Sequence, residues 1–198
     1  VPVIGNHDVI GGGPRLYLSF FRLPANGPEK LTPGRAYAFN YSGATFAILD
    51  SNLDADRDAQ TAWLDRTLGE SKSKWKFASM HHPAYSGAAG EGYPRIRDAW
   101  CPIFDRHAVD LVMQGHVHAY FRSHPIRDGK VVANPALGTT YTVALCGTKC
   151  YPSEPRPFAA VNKTDTRSYQ VITVEANRVK YKAFNERHEP IDEFVIEK

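Results

Sequence analysis

The sequence predicts an α/β fold in which two mixed β-sheets pack together with helices outside. Three observations carry this. Short apolar runs at Val1–Ile4, Phe77–Met80 and Leu111–Met113 each lead into a loop bearing histidine. Helix-length segments with one apolar face alternate with such runs up to about residue 113. After residue 119 the pattern turns to strands, several of them alternating apolar and polar residues. Buried parallel strands read as continuous apolar runs, and half-wet antiparallel strands alternate. The first part therefore supplies parallel strands and helices, and the second supplies antiparallel strands.

Each element follows in order. Val1–Ile4 reads as a buried strand ending in Gly5-Asn6-His7-Asp8. Gly11-Gly12-Gly13-Pro14 breaks the chain before an aromatic segment, Tyr17–Phe21. Residues 24–34 hold three prolines and two glycines and read as a surface loop. Ala36–Tyr41 and Thr45–Leu49 form a hairpin around Ser42-Gly43. Asp56–Leu68 is a helix with Ala59, Ala62, Trp63 and Leu68 on one face and Gly69 as its stop. Trp75–Met80 is the next strand, and residues 84–94 form a mobile loop. Arg95–His107 is a second helix with Ala99, Ile103 and Phe104 facing in, and Asp110–Met113 is a strand. Asp128-Gly129 is a turn between Phe121–Ile126 and Lys130–Ala133. Thr139–Leu145 is a strand, and residues 152–157 are a proline-rich loop. Tyr169–Glu175 and Arg178–Phe184 make a hairpin with one wet face, and Ile191–Ile196 closes the chain.

Composition bounds the function. The 198 residues are 42% hydrophobic and carry a net charge of +3, which suits one globular domain with a sizeable core. Lys and Arg are scattered, so no basic tract argues for nucleic acid. No apolar run approaches the ~18 residues of a membrane span. Cys146 and Cys150 flank a tight loop that would close a small disulfide and would suit an extracytoplasmic or secreted setting. Two reduced thiols at a turn are the equal alternative. Cys101 reads as a buried small hydrophobe.

The chemistry lies in the loops. Gly5-Asn6-His7-Asp8, His81-His82-Pro83 and Gly115-His116-Val117-His118 each follow an expected strand. Neutral imidazole suits zinc, iron and manganese, and an Asn carbonyl adds a hard oxygen donor. A His-x-His pair at a strand end directs both rings into one cavity or splits them between two adjacent ions. His7 beside Asp8 suits contact with a phosphate or protonation of a leaving group. Two ions ~3.5–4 Å apart would clamp an in-line displacement at phosphorus.

In order and spacing these loops resemble those of the calcineurin-like metallophosphoesterases, and most closely the purple acid phosphatase-related branch. The resemblance runs from residue 1 to about residue 150. It takes in Met80-His81-His82-Pro83, Gly115-His116-Val117-His118-Ala119-Tyr120, the Ala62-Trp63-Leu64 and Trp75-Lys76-Phe77 segments, and the approach through Val109-Asp110-Leu111-Val112. It implies the αββα sandwich of the metallo-dependent phosphatases, spanning 1–198 as the C-terminal portion of one domain. It implies hydrolysis of a phosphoester, a monoester before a diester, by a metal-bound hydroxide at a dinuclear site of iron, zinc or manganese. Asn6, His81 and His116 would ligate the second metal and His118 the first. His7 would contact the phosphate with Asp8 as its partner, and His82 would line the substrate side or support His81.

The sequence departs from the pattern twice. The family's first two loops, which bring an Asp, a bridging Asp and in the purple enzymes a Tyr, do not precede Asn6. The site is thus expected to be completed by residues missing from this chain, and the fold to be N-terminally incomplete. This chain alone would hold one ion or none. Phe121 also stands where the purple branch commonly has Glu. The expected partners are a small phosphorylated substrate and either a companion N-terminal fragment or a second copy at an exposed sheet edge. The competing expectation is an inert module of the same fold that serves a structural or interaction role. His107 reads as a helix-end residue, His124 and His188 as surface residues, Asp50-Ser51-Asn52 as a turn in a second-sheet hairpin, and Tyr85 and Tyr93 as solvent-exposed loop aromatics.

Overall fold

A computed structural model describes residues 1–52, 56–88 and 92–198. The element order is α1 (Arg15–Phe20), β1 (Tyr37–Tyr41), β2 (Ala44–Ile48), α2 (Arg57–Glu70), β3 (Trp75–Met80), α3 (Pro94–Arg106), β4 (Leu111–Gln114), β5 (Tyr120–Ser123), β6 (Ile126–Arg127), β7 (Lys130–Val131), β8 (Thr140–Val143), β9 (Ala159–Lys163), β10 (Ser168–Val174), β11 (Arg178–Asn185) and β12 (Pro190–Glu197). Short 3₁₀ turns at Asn6–Asp8 and Pro135–Leu137 complete it.

The large sheet runs β1-β2-β3-β4-β8-β5-β9. Its centre, β2-β3-β4-β8, is parallel, and β1, β5 and β9 are antiparallel additions. β10-β11-β12 form a separate antiparallel sheet. One face of the large sheet packs on α2 and α3 through Trp63, Leu64, Leu68, Trp100 and Phe104, with Ala78 and Val112 beneath them. The other face packs on the small sheet, where Trp75, Phe77, Leu111 and Tyr120 meet Val179, Tyr181 and Ile196. Two packed sheets with helices outside are therefore observed. A polar tie joins the sheets. Asp192 accepts from Arg122 Nε at 2.7 Å, from Arg122 Nη2 at 2.9 Å and from Tyr120 Oη at 2.7 Å.

Several expectations need correction. Val1–Ile4 joins no ladder among the described residues. Pro2 has no N–H to donate, and its carbonyl accepts from Tyr37 Oη at 2.7 Å instead. Ile4 is nonetheless fully buried. Gly69 does not stop α2, which continues to Glu70. The inward face of α2 uses Gln60 and Leu64 in addition to Trp63 and Leu68, and Ala62 is exposed. Gln60 is drawn in because its side chain clamps Asp50, donating to Asp50 O and accepting from Asp50 N, both at 2.9 Å. β9 was not expected. Tyr85 is buried and packs on Tyr141 and Phe158, so it is no surface aromatic. Residues 89–91 of the expected 84–94 loop lie outside the described residues. Cys101 is buried as expected, and all three thiols are free, including Cys146 and Cys150. No helix among the described residues is long and apolar enough to cross a membrane.

Candidate metal centre

Parallel strands deliver their C-terminal loops to one edge of a sheet, which is where open α/β folds place their sites. Here β2 delivers Asp50-Ser51-Asn52, β3 delivers His81-His82, and β4 delivers Gly115-His116. Gly115 N donates to His81 O at 2.9 Å and ties the last two loops together. The Asn6–Asp8 turn approaches from the chain start. Asp8 closes that turn, since its Oδ2 accepts from Gly5 N at 2.8 Å.

The donor atoms converge. His81 Nε2 lies 2.7 Å from Asn6 Oδ1 and 3.1 Å from His116 Nδ1, and Asn6 Oδ1 lies 3.4 Å from His116 Nδ1. Donors held ~2.1 Å from a tetrahedral ion stand roughly 3.4 Å apart, so this triangle accepts an ion with a slight opening. His81, His82 and His116 offer donor nitrogens within 4.8 Å of one another. Glycine makes room for the first ring. A Cβ at Gly5 would meet His81 Nδ1 and Cε1 at 3.0 Å, and one at Gly115 would meet Nδ1 at 3.4 Å.

Burial sets the protonation state. Desolvation first, then the neighbouring imidazoles His82 and His116, pushes the His81 pKa down to about 4. Desolvation followed by His116 does the same to His82, also to about 4. Both rings are therefore neutral at pH 7 and keep lone pairs for a metal. His82 is further fixed by Ser51, whose Oγ accepts from His82 N at 2.8 Å and lies 2.9 Å from His82 Nδ1.

The remaining residues lie apart from this triangle. His118 places Nδ1 3.1 Å from Lys149 O and stacks on Tyr151 at 4.8 Å. It is not one of the three grouped histidines. His7 is exposed on the turn beside Asn6. Phe121 is fully buried and packs edge-on against Phe158, so the position departs from Glu by joining the core. His107 caps α3 and pairs with Asp65 at 2.7 Å, a structural role.

Four residues expected at a turn or on an exposed loop lie beside the cluster instead. Asp50-Ser51-Asn52 is not a second-sheet turn: it follows β2, the neighbour of β3 in the large sheet. Its signal was present, because Thr45–Leu49 is an apolar run of the kind that precedes the other loops. Asp50 is fully buried and pairs with Arg35 at 2.6 Å. Tyr93 is half-buried, with its hydroxyl 2.7 Å from His116 Nε2 and its ring 4.8 Å from that of His82. Beside the cluster opens a cleft of about 510 Å³, lined by Asn6, Asn52, Arg57, His82, Tyr93 and Arg95 among others.

The family model for calcineurin-like phosphoesterases matches residues 1–120. The chain belongs to the calcineurin-like phosphoesterases. Among relatives of this phosphoesterase, an uncharacterized protein of Mycobacterium tuberculosis is 31% identical over 161 residues, covering 70% of this chain and 29% of its own length. Purple acid phosphatase 15 of Arabidopsis thaliana is 33% identical over 120 residues, covering 56% and 22%. An acid phosphatase of Aspergillus ficuum is 30% identical over 135 residues, covering 66% and 20%. The chain thus spans less than a third of the length of these curated relatives. A purple acid phosphatase from yellow lupin (Lupinus luteus) seeds superposes with a TM-score of 0.80 at 20% identity, covering 98% of this chain and 37% of that one. At that identity the likeness is one of fold.

Proposed function

We propose that this phosphoesterase chain supplies much of a metal site that hydrolyses phosphoesters, with phosphomonoesters as its substrates. One observation carries the reading: Asn6 Oδ1, His81 Nε2 and His116 Nδ1 lie 2.7–3.4 Å apart at the sheet edge beside an arginine-lined cleft. These three residues would hold one ion, and His118 would serve a second. A bound ion supplies Lewis-acid polarisation of the phosphoryl oxygens and activates water at neutral pH. A second ion needs ligands beyond His118, and a companion segment is their proposed source.

The chain's own groups do the rest. Neutral His81 directs a lone pair inward, and His116 Nδ1 faces it. His7, exposed beside Asn6, contacts the phosphoryl group and donates a proton to the leaving oxygen. Asp8 fixes the turn that presents His7. Ser51 holds His82 on the substrate side of the cleft. Arg57 and Arg95 raise the local potential for an anionic ester.

The test is hydrolysis of p-nitrophenyl phosphate and bis-p-nitrophenyl phosphate by the full-length protein with manganese, zinc or iron. The monoester should be the better substrate, and His81→Ala and His116→Ala should each abolish turnover. Activity unchanged in both variants would sink the assignment. A full-length protein that binds metal but hydrolyses neither ester would favour the inert module of the same fold.

A further inference from the structure

We infer that Tyr93 is a positioning residue that fixes the His116 imidazole for ligation. The inference rests on reading the histidine cluster as a metal site. Tyr93 occupies the N-cap of α3, and the next residue, Pro94, opens the helix. A residue before proline is kept out of the helical region, and Tyr93 sits outside it at φ −121°, ψ 76°. A rigid helix start therefore sets the direction of its side chain. The hydroxyl lies 2.7 Å from His116 Nε2. The ring packs at 4.8 Å on His82 and at 5.5 Å, edge-on, on His116.

The two nitrogens of His116 thus face different partners. Nε2 faces Tyr93, and Nδ1 faces His81 and Asn6. A neutral imidazole carries its proton on one nitrogen and a lone pair on the other. With the proton on Nε2 and donated to Tyr93 Oη, the lone pair of Nδ1 points into the donor triangle. The hydrogen bond therefore holds the ring with Nδ1 turned towards His81 and Asn6. Partners on the distal nitrogen of a ligating histidine commonly set its orientation and basicity. Here a phenol from another element fills that position.

Tyr93→Phe removes the hydroxyl and keeps the ring against His82 and His116. Zn²⁺ and Co²⁺ are titrated into the full-length wild type and Y93F, and the visible spectrum of the Co²⁺ form is recorded. The expected result is a roughly 10–100-fold weaker affinity and a shifted Co²⁺ band, with the metal-free melting curve close to wild type. Tyr85→Phe, whose ring packs on Tyr141 and Phe158 instead, should change neither. Y93F with wild-type affinity and spectrum overturns the role of Tyr93, while loss of binding in His116→Ala keeps the metal site itself standing. A wild type that binds neither ion overturns the metal site and this inference with it.

Discussion

Replacing Asp50 by alanine is expected to destabilise the protein by about 3–5 kcal/mol, the cost of stranding a buried charge. The figure follows from what the carboxylate holds. Asp50 is fully buried, and Oδ2 accepts from Arg35 Nε at 2.6 Å. The Arg35 side chain is only 12% exposed, so water cannot readily replace the lost partner. Oδ1 accepts from Asn52 N at 2.9 Å and from Asn52 Nδ2 at 2.8 Å. Neutral bonds of that kind contribute about 1 kcal/mol each, but all these contacts share one carboxylate and do not simply add. The perturbation also reaches the site, because Ser51 between these residues holds His82. Urea denaturation read by fluorescence of Trp63, Trp75 and Trp100 measures the loss. Asp50→Asn, which keeps an acceptor for Asn52, should cost less than Asp50→Ala. An Asp50→Ala protein within about 1 kcal/mol of wild type, the size of one ordinary hydrogen bond, would mean that the buried carboxylate is not what holds Arg35 and Asn52 in place.

Other outcomes follow from the same contacts. The metal-free protein should lose stability as pH falls from 6.5 towards 4. Unfolded histidine takes its proton near 6.5 while folded His81 and His82 resist until about 4, so acid favours the unfolded state in that window. Urea midpoints at pH 7 and pH 5 read this, and a profile unchanged by His82→Gln would contradict it. Gly5→Ala should weaken zinc binding by displacing His81, since the added Cβ would stand 3.0 Å from its ring, with a stability cost of about 1–3 kcal/mol; equal zinc affinity would count against the tight approach. A thiol reagent should label Cys146 and Cys150 in the native protein, and Cys101 only after unfolding. Cys146 is exposed, whereas burial pushes the Cys101 thiol up to about 12.

How much of this was legible in the sequence depended on whether a local signal agreed with its tertiary partner. Trp75–Met80 was readable to the residue because, Lys76 and Ser79 apart, it is the apolar run that a strand buried on both faces requires. The Ser42-Gly43 and Asp128-Gly129 turns were readable because each pair takes positive φ. Val1–Ile4 has the apolar character of a strand, but pairing depends on a neighbour, and here its carbonyls meet side chains instead. β9 was missed because Ala159–Lys163 is half-buried without clear alternation, and its pairing with β5 is a long-range fact. At the site, Asn6, His81 and His116 stood in motifs and came together. Ser51 and Tyr93 carry no motif of their own. They act by reaching histidines on other elements, 31 and 23 residues along the chain, which no local pattern records.

A metal-binding triangle of Asn6, His81 and His116 would hold Zn²⁺ at neutral pH. Equilibrium dialysis of this chain against Zn²⁺ at neutral pH tests it most directly. One tightly bound ion is expected, lost in His116→Ala and in His81→Ala. A wild-type chain that retains no zinc, or a His116→Ala chain that retains as much as wild type, would contradict it.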